Sequence, residues 1–172
     1  MSFLTKYQSP IIYLDITGLN NRITAAFLNH AIKIQKLNVG HVRIVYTEPE
    51  HYKVPQFKTA GQFNDLSEQI RGIEPLPGFA NIIPDNGEIK FIPLLGFEGG
   101  RFTYVVQMSQ PPMDHIYPII GVPGFRAEYP FVTYWGNRLP LKSEDSWSNV
   151  KYAAANSIVD IYMILTKILH EN

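Results

Sequence analysis

Cysteine is absent from all 172 residues, which excludes disulfides, thiolate metal sites and a cysteine nucleophile. Net charge is absent as well. Fifteen basic residues balance 15 acidic ones, whereas a chain built to grip duplex DNA carries a basic excess. No stretch approaches 18 consecutive apolar residues, so no membrane span is expected. The opening Met1-Ser2-Phe3-Leu4-Thr5-Lys6 lacks the apolar core of a signal peptide. There is no Asn-x-Ser/Thr sequon, P-loop, zincin motif, Gly-x-Ser-x-Gly elbow or G-x-G-x-x-G fingerprint. His30, His41, His51, His115 and His170 are scattered without metal-ligand spacing, so no metal site is expected. These absences point to a soluble, cytoplasmic protein whose cofactor, if it has one, carries no signature.

Core-forming residues are plentiful. Hydrophobic residues make up 45% of the chain, enough for a full core in one domain of this length. Residues 10–16 form a nearly continuous apolar, β-branched run, the pattern of a strand buried on both faces. Helical spacing of Ile23, Ala26, Phe27, Ala31 and Ile34 predicts a helix over 20–37. Asn20 or Asn21 can cap its start, and Asn38-Val39-Gly40 ends it. Val42 to Tyr46 is a second strand, which completes a βαβ unit expected to be parallel. Residues 47–88 are rich in proline and glycine and read as an irregular insertion.

Regular alternation then returns. Strands are expected at 89–95, 115–120 and 150–154. Helices are expected from Gly99 or Gly100 to about Met108, and from a cap at Asn156 or Ser157 to about Leu169. One or two helical turns are expected within 128–138, with Gly136 as a stop. The fold class is therefore α/β. The expected architecture is a single three-layer, Rossmann-like domain over residues 1–172, with a mostly parallel sheet of about five strands.

Ligands of open α/β sheets sit outside the carboxyl ends of the strands, so the turns after the strands carry the candidate chemistry. After the first strand come Asp15, Thr17, Gly18 and Arg22. Thr17 and Arg22 can donate to a phosphate at a helix start, and Asp15 can accept from a ribose hydroxyl. The same residues also serve as a plain turn and cap. After the second strand comes Glu48, an acidic residue where dinucleotide folds hold a ribose, or simply a solvated loop charge. Gly99 and Gly100 open a helix beside Glu98 and Arg101. They let backbone approach a ligand, Arg101 can clamp an anion, and Glu98 can act as a base or ribose acceptor, or the segment is a tight turn with a surface Glu and Arg. Gly124, Phe125 and Arg126 follow the next strand, where Phe125 can stack a base and Arg126 can pair with phosphate, or a buried Phe125 simply anchors the loop. Asp15, Glu48 and Glu98 are the candidate catalytic carboxylates.

The segment Tyr13-Leu14-Asp15-Ile16-Thr17-Gly18-Leu19-Asn20-Asn21-Arg22 resembles the first strand and turn of CRISPR-associated Rossmann fold sensor domains. Related modules occur in other prokaryotic antiviral systems. Such domains bind cyclic or linear oligonucleotide second messengers at the strand tips, often across a dimer interface. They commonly carry a threonine-glycine turn followed by a basic residue, roles that the resemblance assigns to Thr17, Gly18 and Arg22. It implies a nucleotide or second-messenger sensor in antiviral defence, binding a small anionic ligand as a homo-oligomer or as a subunit of a larger assembly. Two other functions fit the residues. One is an enzyme hydrolysing a nucleotide or nucleoside. The other is a non-catalytic assembly subunit, with aromatics on its surface.

Overall fold

The computed structural model describes residues 11–35, 41–50, 74–79 and 87–170. The part of the irregular insertion at 51–73 and 80–86 lies outside the described residues. The chain divides into two compact units, Met1–Tyr52 with Glu74–Pro84 and Lys53–Ile73 with Asp85–Asn172.

The first unit is the expected βαβ. Strand β1 (Ile11–Asp15) pairs in parallel with β2 (His41–Val45), Ile11 opposite His41 and Asp15 opposite Val45. Helix α1 (Asn21–Gln35) connects them. Its start is fixed by Asn20, whose side-chain oxygen accepts the Ile23 N–H at 2.9 Å while its carbonyl accepts the Thr24 N–H at 3.0 Å. That is the N-cap arrangement, in which a short polar side chain satisfies an otherwise orphaned helix donor.

In the second unit the extended segment 91–95, strand β3 (Ile119–Gly121) and strand β4 (Lys151–Ala153) lie side by side in parallel. Segment 91–95 joins β3 through bridges at Phe91–Ile116 and Leu94–Ile119 only. The reason is chemical. The ladder runs Phe91 N–H to His115 O, Tyr117 N–H to Phe91 O, Ile119 N–H to Pro93 O and Leu95 N–H to Ile119 O. The bond missing from it would come from residue 93, a proline without an N–H.

Helix α2 (Gly99–Ser109) follows segment 91–95. It ends at Gln110, in the left-handed region at φ 44°, just before Pro111 and Pro112. Helix α3 (Tyr129–Ser143) follows β3, and helix α4 (Ile158–His170) follows β4. Ser157 caps α4: its hydroxyl accepts the Asp160 N–H at 3.1 Å.

Alternate side chains of the strands point to opposite faces. Phe91, Leu95, Ile116 and Val150 pack with Phe102, Val106 and Leu141 of α2 and α3. Ile92, Tyr117, Ile119 and Ala153 pack with Ile161, Ile164, Leu165 and Ile168 of α4. Helices thus cover both faces of this small parallel sheet, the α/β layering expected of buried parallel strands.

Two expectations are corrected. Among the described residues the named strands make two parallel pairs, one in each unit, and not one clear sheet of about five strands. Nor does Gly136 stop a helix. Helix α3 runs through it, and through Pro140, to Ser143. Gly136 is instead the point where α3 crosses α2. A Cβ at Gly136 would overlap the Phe97 carbonyl oxygen, and a Cβ at Gly99 would overlap the Gly136 carbonyl oxygen. Pro140 has no N–H with which to bind the Gly136 carbonyl four residues back, which leaves that oxygen facing Gly99. Each glycine hydrogen takes the direction a Cβ would take, the geometry of weak Cα–H···O contacts between close helices.

Candidate functional site

The candidate residues fall at carboxyl strand ends in both units. In the first unit, Thr17 ties the tips of β1 and β2 together. Its hydroxyl accepts the Thr47 N–H at 2.9 Å, and its backbone N–H donates to Asp15 Oδ1 at 2.9 Å. Asp15 is held below the ordinary carboxylate value of 3.8, first by the Thr17 hydroxyl and then by the Thr17 N–H. Asp15 is therefore a permanent anion at neutral pH.

The contribution of Asp15 to stability is present above its ordinary pKa and is lost as pH falls through its lowered folded value. Thr17→Val removes the hydroxyl and is expected to move the Asp15 pKa up toward 3.8, read by NMR titration of the carboxyl carbon. An unmoved Asp15 would show that the hydroxyl does not set its charge.

Arg22 lies at the start of α1 and is paired with Glu74, both exposed. The guanidinium lowers the Glu74 pKa through a hydrogen bond and its charge. Gly18 is exposed, with nothing within 4 Å of where a Cβ would stand. Glu48 sits half-buried beyond β2.

In the second unit, the three parallel segments bring the turns after them to one end of the sheet. Glu98 and Arg101 form an ion pair at 2.8 Å across the first turn of α2, with Glu98 largely buried and Arg101 exposed. Gly99 is buried and Gly100 half-buried. Gly99 has a packing role of its own at the α2–α3 crossing. The next turn passes through a cis Val122–Pro123 peptide. A Cβ at Gly124 would stand 2.9 Å from the Arg126 carbonyl oxygen and from Pro130, so this turn is tight. Phe125 is exposed. Arg126 lies over the Tyr129 ring at 6.0 Å, and Tyr129 meets Phe97 edge-on at 5.3 Å. The Gly96–Arg101 and Gly121–Arg126 turns are thereby joined through one aromatic contact.

Asn137 went unrecognised in the sequence as a support of this end. It is fully buried. Its amide donates to the Gly96 carbonyl at 2.7 Å and to the Thr133 carbonyl at 2.8 Å, while its Oδ1 has no hydrogen-bond partner. It holds the strand tip onto α3. The signal available in the sequence was a polar amide directly after a mid-helix glycine.

Among the described residues no three His, Asp or Glu side chains gather as a metal site, and no helix is long and apolar enough to cross a membrane. No protein-family model matches this chain, and no curated protein or solved structure matches it either.

Proposed function

We propose that this chain is a Rossmann-like α/β module that holds a small anionic, nucleotide-like ligand at its carboxyl strand tips, as a sensor and not as a hydrolase. The observation that carries this reading is the parallel alignment of segment 91–95, β3 and β4. Parallel strands share one carboxyl end, and that end bears Arg101, Phe125 and Arg126 beside backbone turns. Open α/β sheets bind their ligands there. The likeness of residues 13–22 to second-messenger sensors of antiviral defence supports the ligand class and a cytoplasmic, oligomeric setting.

The carboxylates favour binding over hydrolysis. A general acid near neutral pH needs a raised pKa, whereas Asp15 is shifted down. Glu98, for its part, is paired with Arg101. The Arg22–Glu74 pair means that a phosphate at the first helix start must displace Glu74. At the α2 start a phosphate must likewise draw Arg101 from Glu98.

The test is thermal melting of the full chain with mononucleotides, cyclic oligonucleotides, NAD and divalent metals. A ligand at about 100 times its Kd stabilises a fold by about 2.7 kcal/mol, a shift of several degrees at this size. Arg101→Ala is expected to abolish the shift, read against the variant's own ligand-free melting temperature, which falls because the largely buried Glu98 loses this partner. A full shift in Arg101→Ala would remove this residue from the site. No shift with any class would favour the second reading, an assembly subunit, which the exposed apolar face of α4 supports.

A further inference from the structure

Helix α4 is apolar on two sides. Its inner side, Ile161, Ile164, Leu165 and Ile168, packs on the sheet. Its outer side carries Ile158, Val159, Tyr162, Met163 and Leu169, each between 62% and 80% exposed. At 3.6 residues per turn these five positions share a band about 140° wide, with Thr166 at its middle and exposed His170 within it at the last turn. Thr166 does not interrupt the band, because its hydroxyl donates to the Tyr162 carbonyl at 2.9 Å. A back-bond of that kind satisfies the polar atom within the helix. An exposed apolar band of this kind belongs against another apolar surface.

We infer that the outer face of α4 is covered by α4 of a second copy of this chain, packed antiparallel about a two-fold axis. The spacing of the charges supplies the argument. Asp160 and Lys167 are exposed and two turns apart, on one flank of the band. The midpoint between them falls between Met163 and Ile164. The apolar band from Ile158 to Leu169 has the same midpoint. In an antiparallel pair related by a two-fold, like flank meets like flank.

The register that overlays the two bands end to end therefore sets Asp160 against Lys167 of the partner subunit, twice. The same register seats Ile158 beside Leu169 of the partner subunit. A parallel pairing about a two-fold along the helices would put these flanks on opposite sides of the pair and lose both ion pairs. The pairing is closed, so assembly stops at the dimer. It does not depend on the ligand proposed above.

The natural lack of cysteine makes the geometry testable, because an introduced cysteine is the only thiol. Sedimentation of the full chain over a range of concentrations is expected to reveal a monomer–dimer equilibrium. Tyr162→Glu, at an exposed position, is expected to weaken the dimer by about tenfold or more while leaving the circular dichroism unchanged. Under mild oxidation Met163→Cys, beside the axis, is expected to form a covalent dimer. Ile158→Cys is expected not to, because its two copies lie about 16 Å apart along the helices. A monomer at every concentration overturns the inference. So does a dimer that Tyr162→Glu leaves intact, one that Met163→Cys fails to link, or one that Ile158→Cys links as well.

Discussion

Replacing Gly136 with alanine is expected to destabilise the protein by about 2 kcal/mol or more, the cost of forcing extra volume into a packed contact. Helix propensity alone predicts the opposite sign, since alanine inside a helix is favoured over glycine by about 1 kcal/mol. Sterics decide the outcome. The new Cβ would overlap the Phe97 carbonyl oxygen, a backbone atom that cannot rotate away as a side-chain tip would. Relief requires α2 and α3 to separate, and with them the packing of Phe102, Val106 and Leu141. Gly99→Ala is expected to act in the same direction through the Gly136 carbonyl.

The control is Gly18→Ala. Nothing lies within 4 Å of its Cβ direction, and its φ is not left-handed. A glycine of that kind can be replaced with no loss, or with a gain of about 0.4–1 kcal/mol from the unfolded chain. Denaturant unfolding of the three variants is the check. A Gly136→Ala protein as stable as the parent would mean that the helices do not cross at these glycines.

The second large effect is expected from Asn137→Asp, a change of one group with almost no change in volume. The site is completely buried, and the nitrogen replaced is the donor to the Gly96 and Thr133 carbonyls. A carboxylate there faces two carbonyl oxygens without water. Burial of this degree raises a carboxyl pKa by about 3 units or more, and at about 1.4 kcal/mol per unit the loss reaches about 4 kcal/mol at pH 7.

The direction with pH follows from linkage. A group whose folded pKa is raised costs nothing below its unfolded value, near pH 4, and the cost grows until pH passes the folded value. Asn137→Asp is therefore expected to lie closest to the parent in stability at about pH 4 and to fall steadily toward pH 7. Urea midpoints at the two pH values measure this. A loss independent of pH would mean that the carboxylate reaches water.

Local chemistry made much of the fold legible. The βαβ of the first unit could be read because an apolar β-branched run, helical spacing and a capping Asn20 all sit within one short stretch. Helix α2 was equally plain, bounded by glycines at its start and by Pro111-Pro112 beyond its end. Helix α3 was misread at Gly136 because the glycine answers to Phe97 and Gly99, which are distant in the chain, and not to its own backbone. Segment 91–95 had the composition of a strand, but Pro93 removes the bond that would complete its ladder with β3.

At the candidate site, the positions of Asp15, Glu98 and Arg101 followed from strand ends. Their partners did not. That Arg22 meets Glu74, or that Asn137 holds Gly96, depends on tertiary placement. No periodicity encodes such placement.

The glycine crossing and the Phe97–Tyr129–Arg126 contact bear on how such an end would behave on binding. The first turn of α2 is anchored to the middle of α3, and the first turn of α3 holds the other loop through Tyr129. The two turns are braced before any ligand arrives. Association with a preorganised surface avoids most of the penalty for ordering loops. Its calorimetric signature would be a small heat-capacity change, set by the surface covered and not by coupled folding.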